Sequence, residues 1–176
     1  MRLKITSFLS FAIGCKTADI LPQRTLFERD GITMEYLVMN RSDARRASYV
    51  REAPTTAIIS IADIGGKKNE FYPRPWLLHI LEIQFNDVEK GKGCITKKQA
   101  KEIANYVCRI YPQVVRIIVH CELGQSRSAG VAAAISQFFE GSSGGIFGNK
   151  AYSPNRTCHG YVLSALKEAG RIINGC

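Results

Sequence analysis

The run His120-Cys121-Glu122-Leu123-Gly124-Gln125-Ser126-Arg127-Ser128 sets a thiol and a guanidinium with five residues between them. It follows residues 114–120 (VVRIIVH), an apolar, β-branched stretch that reads as a buried strand, and it leads into a helix of small and apolar residues. A cysteine placed there faces a helix N-terminus, whose unpaired N–H groups and positive dipole end favour both a thiolate and a bound oxyanion. Five residues suffice to wrap the backbone into a cradle of N–H donors around a tetrahedral anion, and Gly124 relieves the turn within it. Arg127 closes the cradle with a planar fork that holds two phosphate oxygens at once, which lysine cannot do in the same way. The chemistry implied is a reactive sulfur beside a bound, phosphate-like anion.

Positioning these groups requires a strand, a turn and a helix, and the rest of the chain repeats that alternation. Residues 35–39 and 57–62 (AIISIA) read as strands, the second apolar enough to be buried on both faces, and 77–85 (LLHILEIQF) is a third. A short exposed helix begins at Ser42. Thr96 caps a longer one whose apolar positions Ala100, Ile103, Ala104, Val107 and Ile110 recur at three and four residues, and Pro112 ends it. Residues 128–140 form a buried helix, 141–149 a Gly/Ser loop, and 155–173 a final amphipathic helix. Strand and helix in alternation predict a single α/β domain with a mostly parallel central sheet flanked by helices, in which ligands gather at the carboxyl ends of the strands.

Composition agrees with one globular domain: 176 residues, 45% hydrophobic and 22% charged, with a mean hydropathy of -0.07. Disordered, collagenous and membrane-spanning classes are excluded on that balance, and no segment approaches the roughly 20 apolar residues of a membrane helix. The formal charge of +9 invites an anionic partner, but no part of the chain owns it. The densest run, Lys90, Lys92, Lys97, Lys98 and Lys101, reads as a solvated face, and nucleic acid is a disfavoured partner. Six cysteines without a Cys-x-x-Cys pair, and three histidines without metal-type spacing, argue against a disulfide framework and against a metal site. Residues 1–30 read as an N-terminal extension: Arg2 and Lys4 precede an apolar stretch resembling a short signal segment, though it is interrupted by Thr6, Ser7 and Ser10.

His120-Cys121-x5-Arg127-Ser128, with Gly124 inside it, resembles the signature of the protein tyrosine phosphatases, closest to their compact dual-specificity branch. Ile58 to Asp63 followed by glycines, and Tyr152-Ser153-Pro154-Asn155-Arg156, extend the resemblance, so that residues 31–176 are expected to form the phosphatase-like domain. The loop lies late in the chain, unlike that of the low-molecular-weight phosphatases, so the resemblance puts the general acid upstream. Asp87, 34 residues before Cys121, fits that place; Asp63 is the fallback and Glu89 a weaker candidate.

The resemblance implies roles. Cys121 attacks phosphorus as a thiolate, Asp87 serves as acid and then base, Ser128 donates to the sulfur, and His120 orients the loop. Residues Glu122, Leu123, Gly124, Gln125, Ser126 and Arg127 hold the phosphate. No metal or organic cofactor is needed. The substrate implied is a phosphorylated protein, at tyrosine and also serine or threonine, or a small aryl phosphate. The loop interior lacks lysine, which argues against inositol lipids. A non-catalytic phosphate-binding module and an RNA 5′-triphosphatase are the alternatives. An oxidisable thiolate favours a reducing, cytoplasmic location.

Overall fold

β-branched residues dominate the central strands, and their alternation explains how the sheet is covered. In a computed structural model of the chain, the described residues are 25–29, 32–50, 55–67 and 70–173. Strands β1 (Thr25–Arg29), β2 (Ile32–Met39), β3 (Thr56–Ala62), β4 (Leu77–Gln84) and β5 (Arg116–His120) form one sheet in the order β1-β2-β5-β3-β4. β2, β5, β3 and β4 are mutually parallel, and β1 runs antiparallel along the edge of β2.

All seven residues of β3 are buried. Successive side chains point to opposite faces. Thus Ala57, Ile59 and Ile61 of β3, with Ile117 and Val119 of β5, face one core, whereas Ile58 and Ile118 face a second with Leu37, Ala44, Phe71 and Leu77. Helices α2 (Lys97–Ile110), α3 (Arg127–Glu140) and α5 (Arg156–Ile173) contribute to the larger core, and α1 (Arg41–Ala47) contributes Ala44 to the smaller. Each fully buried isoleucine contributes about 2 kcal/mol.

The helix signals hold in detail. Thr96 and Gln99 form a reciprocal capping box at the start of α2, and all five apolar positions given by its spacing are buried. The Gln99 amide also donates to the Gln84 carbonyl at 2.7 Å, which ties α2 to the end of β4. α3 starts at Arg127, one residue before the expected start, and Gly141 closes it in the left-handed conformation.

Three differences have physical causes. Residues 141–149 are not wholly loop, because Ile146 is buried in the core and a helical turn, α4 (Gly144–Phe147), carries it there. Pro112 lies within a 3-10 turn, Tyr111–Gln113, and β5 begins only at Arg116 rather than at 114, since the Val115 and Arg116 N–H groups share one acceptor, the Thr55 carbonyl, as the chain enters the sheet. The sheet also takes in Thr25–Arg29, part of the stretch read as an extension; the signal-like residues before it lie outside the described residues. No helix of the described residues is long and apolar enough to cross a membrane.

Parallel strands end together. Met39 of β2 and Ser60 of β3 both pair with His120 of β5, so the chain leaves β2, β3 and β5 at one edge of the sheet. The segments after them begin at Asn40, Asp63 and Cys121, and β4 delivers Phe85 and Asp87 to the same edge.

Candidate active site

Cys121 is the first residue beyond β5 and is 2% exposed. Its Sγ lies 3.1 Å from the Ser128 hydroxyl, which is fully buried in the first turn of α3. The turn between them is folded by its surroundings. Carbonyls of Glu122, Gln125 and Ser126 accept from the backbone N–H groups of Arg41, Ser153 and Asn155 at 3.3, 3.0 and 3.1 Å. A trans peptide directs its carbonyl and the following N–H to opposite sides, so the N–H groups of Leu123, Ser126 and Arg127 face away from those partners.

Gly124 has φ +70°, and a Cβ there would stand 2.5 Å from backbone atoms of Met39 and Asn40. Both the backbone conformation and the close approach of the β2–α1 turn exclude a side chain. Gly130 in α3 is likewise required by contact, since its Cβ would stand 2.4 Å from the Asn155 carbonyl oxygen at the start of α5.

Arg127 is 3% exposed. Its Nη1 donates to Asp63 Oδ1 and to the Phe85 carbonyl, each at 2.7 Å. Its Nε is buried with no hydrogen-bond partner among the described residues. A buried guanidinium N–H without an acceptor is costly. The Nη1 contacts fix the plane of the group, and the edge bearing Nε is the one a tetrahedral oxyanion would satisfy.

The three carboxylates weighed from the sequence occupy different places. Asp87 Oδ1 accepts from the Ser126 hydroxyl at 2.8 Å and from the Asn155 amide at 3.0 Å, which sets the carboxylate against the loop. Asp63 clamps Arg127. Glu89 accepts from the Arg156 backbone N–H at 3.0 Å through its carboxylate and from the Thr157 hydroxyl at 2.7 Å through its carbonyl, so it caps α5.

His120 lies buried beneath the loop, 5.3 Å from the Phe71 ring. Burial lowers its pKa to about 4, aided by the charge of Arg41 and opposed by a backbone contact with Cys121. Its Nδ1 lies 3.4 Å from the Cys121 carbonyl oxygen; a carbonyl can only accept, so the neutral ring carries its proton on Nδ1. Burial likewise pushes the Cys158 thiol up to about 12, with the Asp87 charge adding to the rise, so Cys158 is a neutral thiol. Among the described residues Cys94, Cys108, Cys121 and Cys158 are free, and no three acidic, cysteine or histidine side chains converge to hold a metal ion.

Two residues of the site were given no site role from the sequence. Arg41 pairs with Glu122 at 2.6 Å and donates to the Lys67 carbonyl at 2.5 Å, bridging three of the segments at the sheet edge. Asn155 both holds Asp87 and caps α5 by accepting from the Cys158 N–H at 2.9 Å. The capping role of Asn155 had a local signal, an Asn before a helical pattern; Arg41 had none.

No protein-family model matches the chain, and no curated protein matches it. Solved structures do. A mouse protein described as a dual specificity phosphatase, complexed with zinc tungstate, superposes with a TM-score of 0.58 at 13% identity, covering 90% of this chain and 96% of that one. DUSP15 gives 0.53 at 21% identity over 80% and 92%, and PTPMT1 in complex with PI(5)P gives 0.52 at 14% over 81% and 92%. The likeness is one of fold, and it spans nearly the whole of each of those chains.

Proposed function

From a dual-specificity phosphatase fold with a cysteine and a buried arginine at the end of its central strand, we propose that the chain hydrolyses phosphate monoesters through a cysteinyl-phosphate intermediate. Its substrates are phosphotyrosine and phosphoserine or phosphothreonine residues of proteins. One observation carries the reading: Arg127 is buried, oriented by Asp63 and Phe85, and keeps an unpartnered Nε on the loop that holds Cys121.

The substrate phosphoryl group binds in the turn, its equatorial oxygens on the loop N–H groups and on Arg127. The Cys121 thiolate attacks phosphorus in line; the S–P bond forms as the P–O bond to the leaving group breaks, and Asp87 gives that oxygen its proton. Water then attacks the cysteinyl phosphate, Asp87 takes a proton from it, and the S–P bond breaks. The Ser128 hydroxyl donates to the departing sulfur, and phosphate leaves. His120 stays neutral throughout and supports the Cys121 carbonyl, and Asp63 keeps the Arg127 fork in plane. None of these steps calls on a metal.

The test is turnover of p-nitrophenyl phosphate in the presence of EDTA. Saturable turnover, inhibited by vanadate and accompanied by a trapped phosphoenzyme, supports the reading. Binding of vanadate without turnover replaces it with a phosphate-binding module, and turnover confined to triphosphorylated RNA replaces it with an RNA 5′-triphosphatase.

A further inference from the structure

Two clefts share Leu123, which is 72% exposed in the middle of the catalytic loop, as a wall residue. Asn40 and Leu123 line both. One, of about 510 Å³, is walled by Val38, Met39, Tyr152 and Gln125, and Asp43 is its only charged residue. The other, of about 430 Å³, carries Arg41, Arg45 and Lys67 against a single carboxylate, Glu122. Arg41 takes that carboxylate for itself at 2.6 Å and holds the Lys67 carbonyl at 2.5 Å, so it braces the cleft wall. Arg45 and Lys67 are in no ion pair with a described residue, and they flank a cleft whose floor includes the loop residue next to Cys121.

We propose that Arg45 and Lys67 form a subsite for a second anionic group on the substrate, and that the preferred substrates are phosphopeptides with an acidic or phosphorylated residue close to the scissile phosphate. This rests on the phosphatase reading above. Because Asn40 and Leu123 line both clefts, a peptide bound over Leu123 is within reach of both, with an anionic side chain for the basic cleft and an apolar one for its neighbour. A polyanionic headgroup has nothing to place in the apolar cleft beside Asp43. Arg45 and Lys67 are specificity residues; they touch no reacting atom.

The experiment compares kcat/KM for two matched phosphotyrosine peptides, one flanked by Asp and one by Asn. The wild type should prefer the Asp peptide by about 3- to 10-fold at low salt, the size expected of one or two solvent-exposed charge contacts. The preference should fade toward unity at high salt. In Arg45→Gln/Lys67→Gln the ratio should fall to near one with an unchanged melting temperature. Lys97→Gln/Lys98→Gln, which removes the same charge from the start of α2, should retain it.

Equal kcat/KM on the two peptides in the wild type overturns the subsite. So does a preference that survives Arg45→Gln/Lys67→Gln or is lost equally in the α2 variant, since general steering by the basic surface would then explain it. If p-nitrophenyl phosphate is not turned over, the phosphatase reading fails and takes the subsite with it; if it is turned over without any peptide preference, the subsite fails alone.

Discussion

The sulfur side of the site and its acid side are built differently. Cys121, Arg127 and Ser128 are buried, and the turn joining them is held by backbone contacts and by a glycine that no other residue replaces. Asp87 stands on the loop after β4, fixed by two side-chain bonds, one to Ser126 and one to Asn155. The proposed function gives the contrast a reason: a receptor for a charged phosphoryl group must be preorganised, because reorienting dipoles during reaction costs what they would otherwise stabilise, whereas a proton donor need only reach the leaving oxygen, for which a side-chain tether suffices.

Perturbations should separate the two sides. Cys121→Ser removes the proposed nucleophile and should lower kcat by about 10⁴-fold or more while vanadate binding persists; unchanged turnover would remove Cys121 from the mechanism. Arg127→Lys, which keeps the charge but loses the planar fork, should cost about 10³-fold in kcat/KM and weaken vanadate binding as well. Asp87→Asn should cost about 10²-fold with a poor leaving group and much less with p-nitrophenolate. Equal loss with both leaving groups would move the acid role elsewhere.

Asn155→Ala loosens the tether without touching the substrate. About a tenfold loss in kcat is expected with poor leaving groups, together with about 1 kcal/mol of stability from the lost α5 cap. Equal loss for good and poor leaving groups would show that Asn155 serves stability alone.

The smallest effect on turnover belongs to His120→Asn, whose signature is stability against pH. The unfolded histidine takes a proton near 6.5, and the folded one resists it down to about 4. Its contribution is therefore fully present above 6.5 and is lost as pH falls through that window, by up to about 3 kcal/mol. Urea midpoints measured across the window should fall less steeply in the variant than in the wild type.

Most of the fold was legible because its signals are local. The capping box at Thr96 and Gln99, the seven buried residues of β3 and the spacing of α2 each lie within one element. α4 was hidden because only the burial of Ile146 converts a Gly/Ser stretch into a helical turn. In the candidate site, residues 120–128 stood out since a cradle of backbone N–H groups is made from contiguous chain. The partition of the three carboxylates did not, since Asp63, Asp87 and Glu89 all follow apolar strands in similar polar surroundings. Only the positions of Arg127, Ser126 and Arg156 in space distinguish a carboxylate that clamps the arginine, one set against the loop and one that caps a helix.

The amino-acid sequence by itself determined the alternation of strands and helices and the nine-residue run that carries the cysteine and the arginine, because both depend on neighbours along the chain. Tertiary structure decided what stands around that loop. Arg41 reaches Glu122, Asp63 reaches Arg127 and Asn155 reaches Asp87 across long stretches of chain. Those pairs exist because parallel strands deliver their ends to one edge of the sheet, a condition that no local pattern of residues encodes.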